Sequence, residues 1–536
     1  MNLVMKIAQV VDNRLNPIVV KEMRQMVQSR WMLSIIMLFL LVLLGTMAVF
    51  TINSSAEIDS YTTRTLTLGS RAFLILAMVF SVTTMFFIPA YTAMRLSNER
   101  SKDGMDLLYV TTLTPSAIIR GKFQAGILLC ILILSVSLPF MVLCYFLRGI
   151  DLPTMAFAIF ICVLCVIVVN QASLFVACLP VQKVFKTLLG IGSLLLVFWM
   201  TAGLYAGLRQ ITNLGYEGVF RTGHAWWSVV VFILLTAMVT GFFYRLCVAL
   251  ISPRSMDRAF GLRVYAAAMW GLSLILTIIS TVYISSARGY ANGPVLVWYV
   301  LSLMGVMIGL LASISENEHR SARVIAAIPQ NTVLRKIAFF FYCGPANGIA
   351  WCAAIGIFTG LVPFLFELWS DNNMSLYSEE AITTMGILTL YAFGYAISAL
   401  FLRRLIGRFF KRFSAKFTWV VCLLLVVAGA LYFYIFWLVV YWSDNNTMVY
   451  TMEQKFKPLN IIDVFANEHT AAHFWTALIW LLILAVPFFR WFRKQVRRFS
   501  PPEPAAADTA DETVKTGKNL TESERLTNVL THQKAE

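Results

Sequence analysis

WMLSIIMLFLLVLLGTMAVFT, residues 31–51, carries no charged side chain, and large apolar residues fill most of it. At about 1.5 Å of rise per residue, a helix of that length crosses roughly 30 Å of hydrocarbon. Lipid offers the backbone no hydrogen-bond partner, so a lone crossing segment must satisfy its own N–H and C=O groups as a helix. Similar blocks follow at about 72–93, 124–147, 155–179, 187–208, 227–250, 265–287, 295–314, 337–366, 383–402, 418–442 and 475–492. Of 536 residues, 59% are hydrophobic and only 13% charged, more apolar surface than one soluble core of this length can hide. The expectation is an all-α, polytopic membrane helix bundle of about 12 transmembrane helices. Gly and Pro inside several blocks fit membrane helices. The block 337–366 is long and holds Cys343-Gly344-Pro345-Ala346-Asn347-Gly348, which marks it for a kink or a break.

The net charge of +16 is distributed unevenly. Arg and Lys crowd into alternate loops, as at Arg95, Arg100, Lys102, Arg120 and Lys122, or at Arg403, Arg404, Arg408, Lys411 and Arg412. The intervening loops carry acids such as Glu57, Asp59, Asp371, Glu379 and Glu380. That asymmetry is the positive-inside signal, and it places both termini in the cytoplasm. The basic excess therefore orients the chain and touches anionic lipid, and nucleic acid is not the expected partner. The first 30 residues are too polar for a cleavable signal peptide. All nine cysteines fall in or beside apolar blocks and read as small packing residues, including the CxxC pair Cys162 and Cys165.

Four regions follow: a cytoplasmic amphipathic segment at 1–30, six-span halves at 31–250 and 251–499, and a disordered cytoplasmic tail at 500–536. Thr521 and Glu524 are positioned to cap a short helix within that tail. The halves resemble each other in layout, with a longer cytoplasmic connection after the second span of each, which suggests an old duplication.

Two polar segments stand out. In NPIVVKEMRQMVQSR, residues 16–30, Asn16 and Pro17 suit the N-cap and first helical position. Leu15, Ile18, Val19, Met23, Met26 and Val27 then recur at helical spacing, opposite Lys21, Arg24, Gln25 and Gln28. Such a helix lies on the membrane surface. In NERSKDGMDLLYVTTLTPSAIIRGK, residues 98–122, Met105, Leu107, Leu108 and Tyr109 form an apolar patch among charges. Thr114 and Pro115 read as the N-cap and first position of a helix entering the third span. The segment is either a docking surface or a structural elbow.

The run Glu99-Arg100, Gly104, Asp106-Leu107-Leu108, Leu113-Thr114-Pro115 and Gly121-Lys122 resembles the membrane subunits of type-2 ABC exporters. Asn16-Pro17 through Lys21-Glu22 and Arg24 to Arg30 is similar to the opening helix of such permeases. The resemblance covers about residues 13–250. Ser101 and Met105 depart from the family's usual acid and Thr. It implies that 16–30 and 98–113 dock a separate ABC ATPase through Lys21, Glu22, Arg24, Glu99, Arg100, Gly104, Asp106, Leu108, Thr114 and Pro115. It also implies ATP and Mg on that partner, none bound by this chain, a bacterial inner membrane, and a translocation path in the spans. No GxxxxGK[ST] loop is present to hold phosphates here.

In the second half, ENEHRSARVIAAIPQNTVLRK, residues 316–336, keeps Glu316, Glu318, Arg320 and Arg323, and its Ile328-Pro329 suits a helix restart. It lacks the glycine and shortens the acid-to-proline spacing. It reads either as a degenerate second docking loop, making the chain a fused pseudo-dimer, or as a basic elbow. In the elbow reading, a second permease copy completes the complex.

Two rival functions remain at this level. An ion-coupled secondary transporter normally keeps ionisable groups within the membrane, and none lies near the middle of a span. Asn170, Gln171 and Asn347 read as inter-helix hydrogen bonders. A membrane-embedded transferase would use acids in the first external loop, where Glu57 and Asp59 sit. In the longest external segment, His469 and His473 have a spacing that could reach one metal, but no third ligand is evident beyond Asp463 and Glu468, and no metal site is expected. Three glycosylation triplets start at Asn53, Asn373 and Asn445.

Overall fold

The computed structural model describes residues 17–57, 68–101, 114–147, 149–179, 183–221, 223–253, 256–288, 293–369, 376–409, 415–441 and 470–501. Every regular element among them is helical. In chain order these are α1 (Pro17–Val27), α2 (Arg30–Glu57), α3 (Leu68–Ser101), α4 (Pro115–Phe146), α5 (Leu152–Cys178), α6 (Lys183–Phe220) and α7 (Gly223–Ile251). Then come α8 (Phe260–Arg288), α9 (Gly293–Ile314), α10 (Ala322–Ala326), α11 (Thr332–Phe341) and α12 (Pro345–Trp369). The last are α13 (Leu376–Phe409), α14 (Thr418–Tyr441) and α15 (Thr470–Arg497). Eleven helices among the described residues are long and apolar enough to cross a membrane. This is the architecture of a polytopic helical membrane protein. A twelfth span, expected at 418–442, coincides with α14, whose described apolar stretch Thr418–Leu431 falls short of that length.

The chain divides into two compact units. The first comprises Met1–Arg254, Arg258–Val306 and Ile355–Gly386, and the second Ser255–Asp257, Met307–Ala354 and Ile387–Glu536. In the first, α3 packs along α4 and α5, and more than half of its most apolar stretch is buried. Phe73, Phe80, Met85, Leu129, Ile133 and Cys162 form the centre of that core. Helix α2 buries Met32, Phe39 and Leu43 against it while Leu33, Leu38, Leu41 and Leu44 stay exposed. A helix apolar on both its packed and its outward side is suited to hydrocarbon rather than water.

The block expected as one span over 337–366 is broken. Helix α11 ends at Phe341, Gly344 takes φ +144°, and α12 starts at Pro345, so the crossing stretch is Pro345–Phe366. Proline cannot supply an N–H to an earlier turn, which makes it a natural first helical residue and a barrier to continuous helix. Helix α11 instead leaves Val333, Leu334, Ile337 and Phe340 exposed on one side, beside Lys336. This pattern fits a helix lying in the lipid–water interface. The restart expected at Ile328-Pro329 also falls later. Asn331 is the N-cap, its side chain accepting from the Val333 N–H at 3.0 Å, and Pro329 lies in the turn before it.

Asn170 and Gln171 bridge helices as their position suggested. Asn170 Oδ1 accepts from Thr92 Oγ1 of α3 at 2.9 Å, and Gln171 Nε2 donates to Cys247 Sγ of α7 at 3.7 Å. Asn347 Oδ1 accepts from Arg320 at 3.0 Å. No disulfide joins any of the nine cysteines.

Candidate functional site

Helix α1 begins on Pro17 and turns directly into α2 through Gln28 and Ser29, whose carbonyl accepts from Met32 at 3.0 Å. Val19, Glu22 and Met26, three and four residues apart, share one buried face, while Lys21, Arg24, Gln25 and Gln28 are exposed. Thus a carboxylate sits in the apolar stripe. Burying it alone is costly, so a cation must meet it. Lys122 does so: its ammonium donates to Glu22 Oε1 at 2.8 Å and pairs with Glu99 Oε2 at 2.7 Å. Arg95 donates to Glu22 Oε2 at 3.0 Å and to Gln25 Oε1 at 2.6 Å. Lys21 lies 3.8 Å from Glu99 at the exposed edge.

Two carboxylates therefore meet three cations, Lys122 and Arg95 within the cluster and Lys21 at its edge, at the join of α1, the end of α3 and the start of α4. Glu22 and Lys122 are each 4% exposed. Burial alone would raise the Glu22 pKa, but the charges and hydrogen bonds of Lys122 and Arg95 outweigh it and hold the carboxyl below its ordinary value. Removing one member of such a pair leaves an uncompensated buried charge, at a cost of about 3–5 kcal/mol. A second apolar cluster, including Leu96, Ile119, Leu174 and Cys247, packs at the same ends of α3 and α4. The cluster consequently links α1 rigidly to two spans.

Thr114 caps α4, its side chain accepting from the Ala117 N–H at 3.3 Å, and Pro115 takes the first helical position. Arg24 is exposed on α1. Arg100 lies in the last turn of α3, its side chain outside the description, and Gly104, Asp106 and Leu108 lie outside the described residues. The structure thus brings Lys21, Glu22 and Glu99 together. It adds Arg95, counted in the sequence only among basic loop residues, and Lys122, which closes the family-like run but is not among the expected docking residues. Their signal was present: Lys122 shares the buried stripe of Ile118, Ala125 and Leu129 on α4.

The acid-bearing loop of the second unit is built differently. Glu318 Oε1 accepts from Arg403 at 2.9 Å and Arg404 at 2.8 Å, and its Oε2 accepts from Gln495 at 3.4 Å. Arg404 also covers the Trp491 ring at 4.4 Å. Arg320 donates to Asn347 and to the Cys343 carbonyl at 3.3 Å, and lies 4.9 Å over the Phe499 ring. Burial lowers its pKa, partly countered by Cys343 and Asp257. Glu316 accepts from the Gly344 N–H at 2.6 Å, holding the break before α12. Arg323 is exposed on α10 and Pro329 half-buried.

Among the described residues no group of three His, Cys, Asp or Glu side chains is placed to hold a metal ion. His473 is buried beside Tyr391, with 3.3 Å between its Nδ1 and the hydroxyl. Asp463, Glu468 and His469 lie outside the described residues, as do Asp59, Asp371 and the tail from Pro502. Neither a family model, a curated protein nor a solved structure matches this chain.

Proposed function

We propose that this chain is the permease subunit of an ATP-driven ABC exporter in a bacterial inner membrane, with both termini cytoplasmic. A separate ATPase docks on the exposed side of α1 and on the polar segment 98–113. The observation that carries this reading is the buried Glu22–Lys122 pair flanked by Arg95 and Glu99. Lys21 and Arg24 face outward from the helix that this pair anchors. A partner that pushes on them displaces α1, and α1 is tied to the ends of α3 and α4 and runs into α2. Movement at the surface is thereby passed through the ion pairs to α3 and α4, and through the turn at Gln28 and Ser29 to α2. ATP and Mg belong to the partner.

The test is co-expression of the full chain with the ATPase and purification by a tag on the permease. Arg24→Glu and Asp106→Lys are expected to lose the ATPase from the purified complex and to abolish ATP-dependent transport, while the permease alone keeps its thermal stability. An unchanged complex with both substitutions overturns the docking assignment. Transport sustained by an ion gradient without ATP overturns the exporter reading.

A further inference from the structure

A cavity of about 50 Å³ lies between α4 and α5. Ile127, Ile131 and Leu134 of α4 and Val163 and Ile167 of α5 form its partly exposed rim. Gly126, Val166 and Asn170 are buried beneath them. It is far smaller than the roughly 300–1,000 Å³ of a small-molecule site. A slender apolar chain fits it, and a folded solute does not. One polar group breaks the apolar lining. Asn170 is 1% exposed, its Oδ1 is engaged by Thr92, and its Nδ2 has no hydrogen-bond partner. Leaving a buried amide donor unpaired is costly, so an acceptor arriving in the cavity is favoured. Gly126 makes room for that amide, because a methyl group there would overlap it.

Depth identifies the acceptor. Gly126 lies one turn, about 6 Å, inside Lys122, where the ionic cluster marks the water-facing end of α4. That is the level at which the ester groups of a lipid meet its hydrocarbon. Arg120 is exposed on the same side of α4, seven residues from Ile127, which lies four and seven residues from Ile131 and Leu134. A phosphate, an ester and an acyl chain would thus meet a guanidinium, an amide N–H and an aliphatic groove in that order.

We propose that this crevice is a specific site for one anionic glycerophospholipid of the leaflet facing Arg120. Its acyl chain lies along Ile127, Ile131 and Leu134, its ester carbonyl accepts from Asn170 Nδ2, and its phosphate meets Arg120. Annular lipid needs no such donor. The site differs in this from the smooth exposed stripe of Leu38, Leu41 and Leu44 on α2.

The test uses the full chain in nanodiscs of phosphatidylcholine and phosphatidylglycerol, each lipid in turn carrying a photoactivatable diazirine on its acyl chain, with adducts mapped by mass spectrometry. Phosphatidylglycerol adducts on residues 127–134 and 163–167 should exceed those on the α2 stripe by roughly five- to tenfold, the range one buried hydrogen bond supplies. Asn170→Leu, which removes the donor while Thr92 keeps the Ile88 carbonyl at 3.0 Å, should reduce the excess several-fold, and so should Ile131→Trp at the rim. Arg120→Gln should leave the adducts in place and abolish the preference for phosphatidylglycerol over phosphatidylcholine. Adducts spread evenly over all outward faces, or an excess that survives both Asn170→Leu and Ile131→Trp, overturn the site. Equal labelling by both lipids on the wild-type chain overturns its anionic selectivity.

Discussion

The two acidic clusters solve the same electrostatic problem by opposite means. Around Glu22 the central pair is deep: its carboxylate and the Lys122 ammonium are almost entirely out of solvent and meet at 2.8 Å, with Arg95, Glu99 and Lys21 toward the edge. Around Glu318 there are fewer charges, one carboxylate and two guanidiniums, and the carboxylate is shallower. Its side chain is 24% exposed, Arg404 is 26% exposed, and an amide and an aromatic face share the work. A deep pair transmits force because neither member has an alternative partner in water. A shallower network tolerates loss better, since Glu318 and Arg404 keep access to water and only Arg403 is largely buried. The first cluster is accordingly suited to coupling an external helix to spans, and the second to holding α13, α15 and the loop before α10 in register.

The sharpest way to break that contrast is Lys122→Met. It leaves Glu22 to Arg95 and Glu99 to the distant Lys21, and the expected loss of stability is about 3–5 kcal/mol. Glu22→Gln placed on the same chain removes the buried charge and should recover a large part of it. Thermal unfolding of the purified chain in detergent reads both. A double variant no more stable than Lys122→Met would mean that Glu22 is not the group Lys122 balances. The matching change in the other unit, Glu318→Gln, should cost only about 1–2 kcal/mol, because the carboxamide still accepts and the two arginines remain partly hydrated.

Acid titration probes the first cluster directly. The Glu22 carboxyl is held below its ordinary value of 4.5. A depressed folded pKa stabilises fully above the unfolded value and loses that contribution as pH falls through the folded one. The wild-type chain should therefore keep its unfolding temperature down to about pH 4.5 and lose it below. Glu22→Gln should flatten that limb of the profile, whereas a profile unchanged by the substitution would remove Glu22 from the linkage.

These clusters also mark how far the amino-acid sequence can be read. The spans were legible because a charge-free block of about 20 residues admits one physical solution in lipid. Thr114-Pro115 was equally plain, since cap chemistry is local. Glu22 was legible as a special residue of α1 but its direction was not. Val19, Glu22 and Met26 share a face by spacing alone, yet a carboxylate on an apolar stripe declares itself buried only once its cation is known, and Lys122 is 100 residues away. The fracture at Gly344-Pro345 was visible as a possibility. Its consequence, an interfacial α11 ahead of the span, depended on Glu316 and Asp257 closing on the backbone N–H groups of Gly344 and Cys343. Tertiary partners of this kind have no signature in a short window.

The smallest expected effect on stability carries the clearest information on function. Lys21 pairs with Glu99 only at 3.8 Å and is 59% exposed, so Lys21→Ala should change stability by less than about 1 kcal/mol. The same substitution removes a cation from the side of α1 assigned to the ATPase, where an opposing carboxylate would make its loss a change in association rather than in folding. Titrating the purified ATPase against the reconstituted permease should show weaker binding for Lys21→Ala, with the difference shrinking as salt screens the contact. Stability held and affinity lost would divide α1 into an inward face that fixes it to the spans and an outward face that receives the partner. If stability falls as far as it does for Lys122→Met while binding of the surviving fraction is unchanged, Lys21 belongs to the buried cluster and the docking face must lie elsewhere.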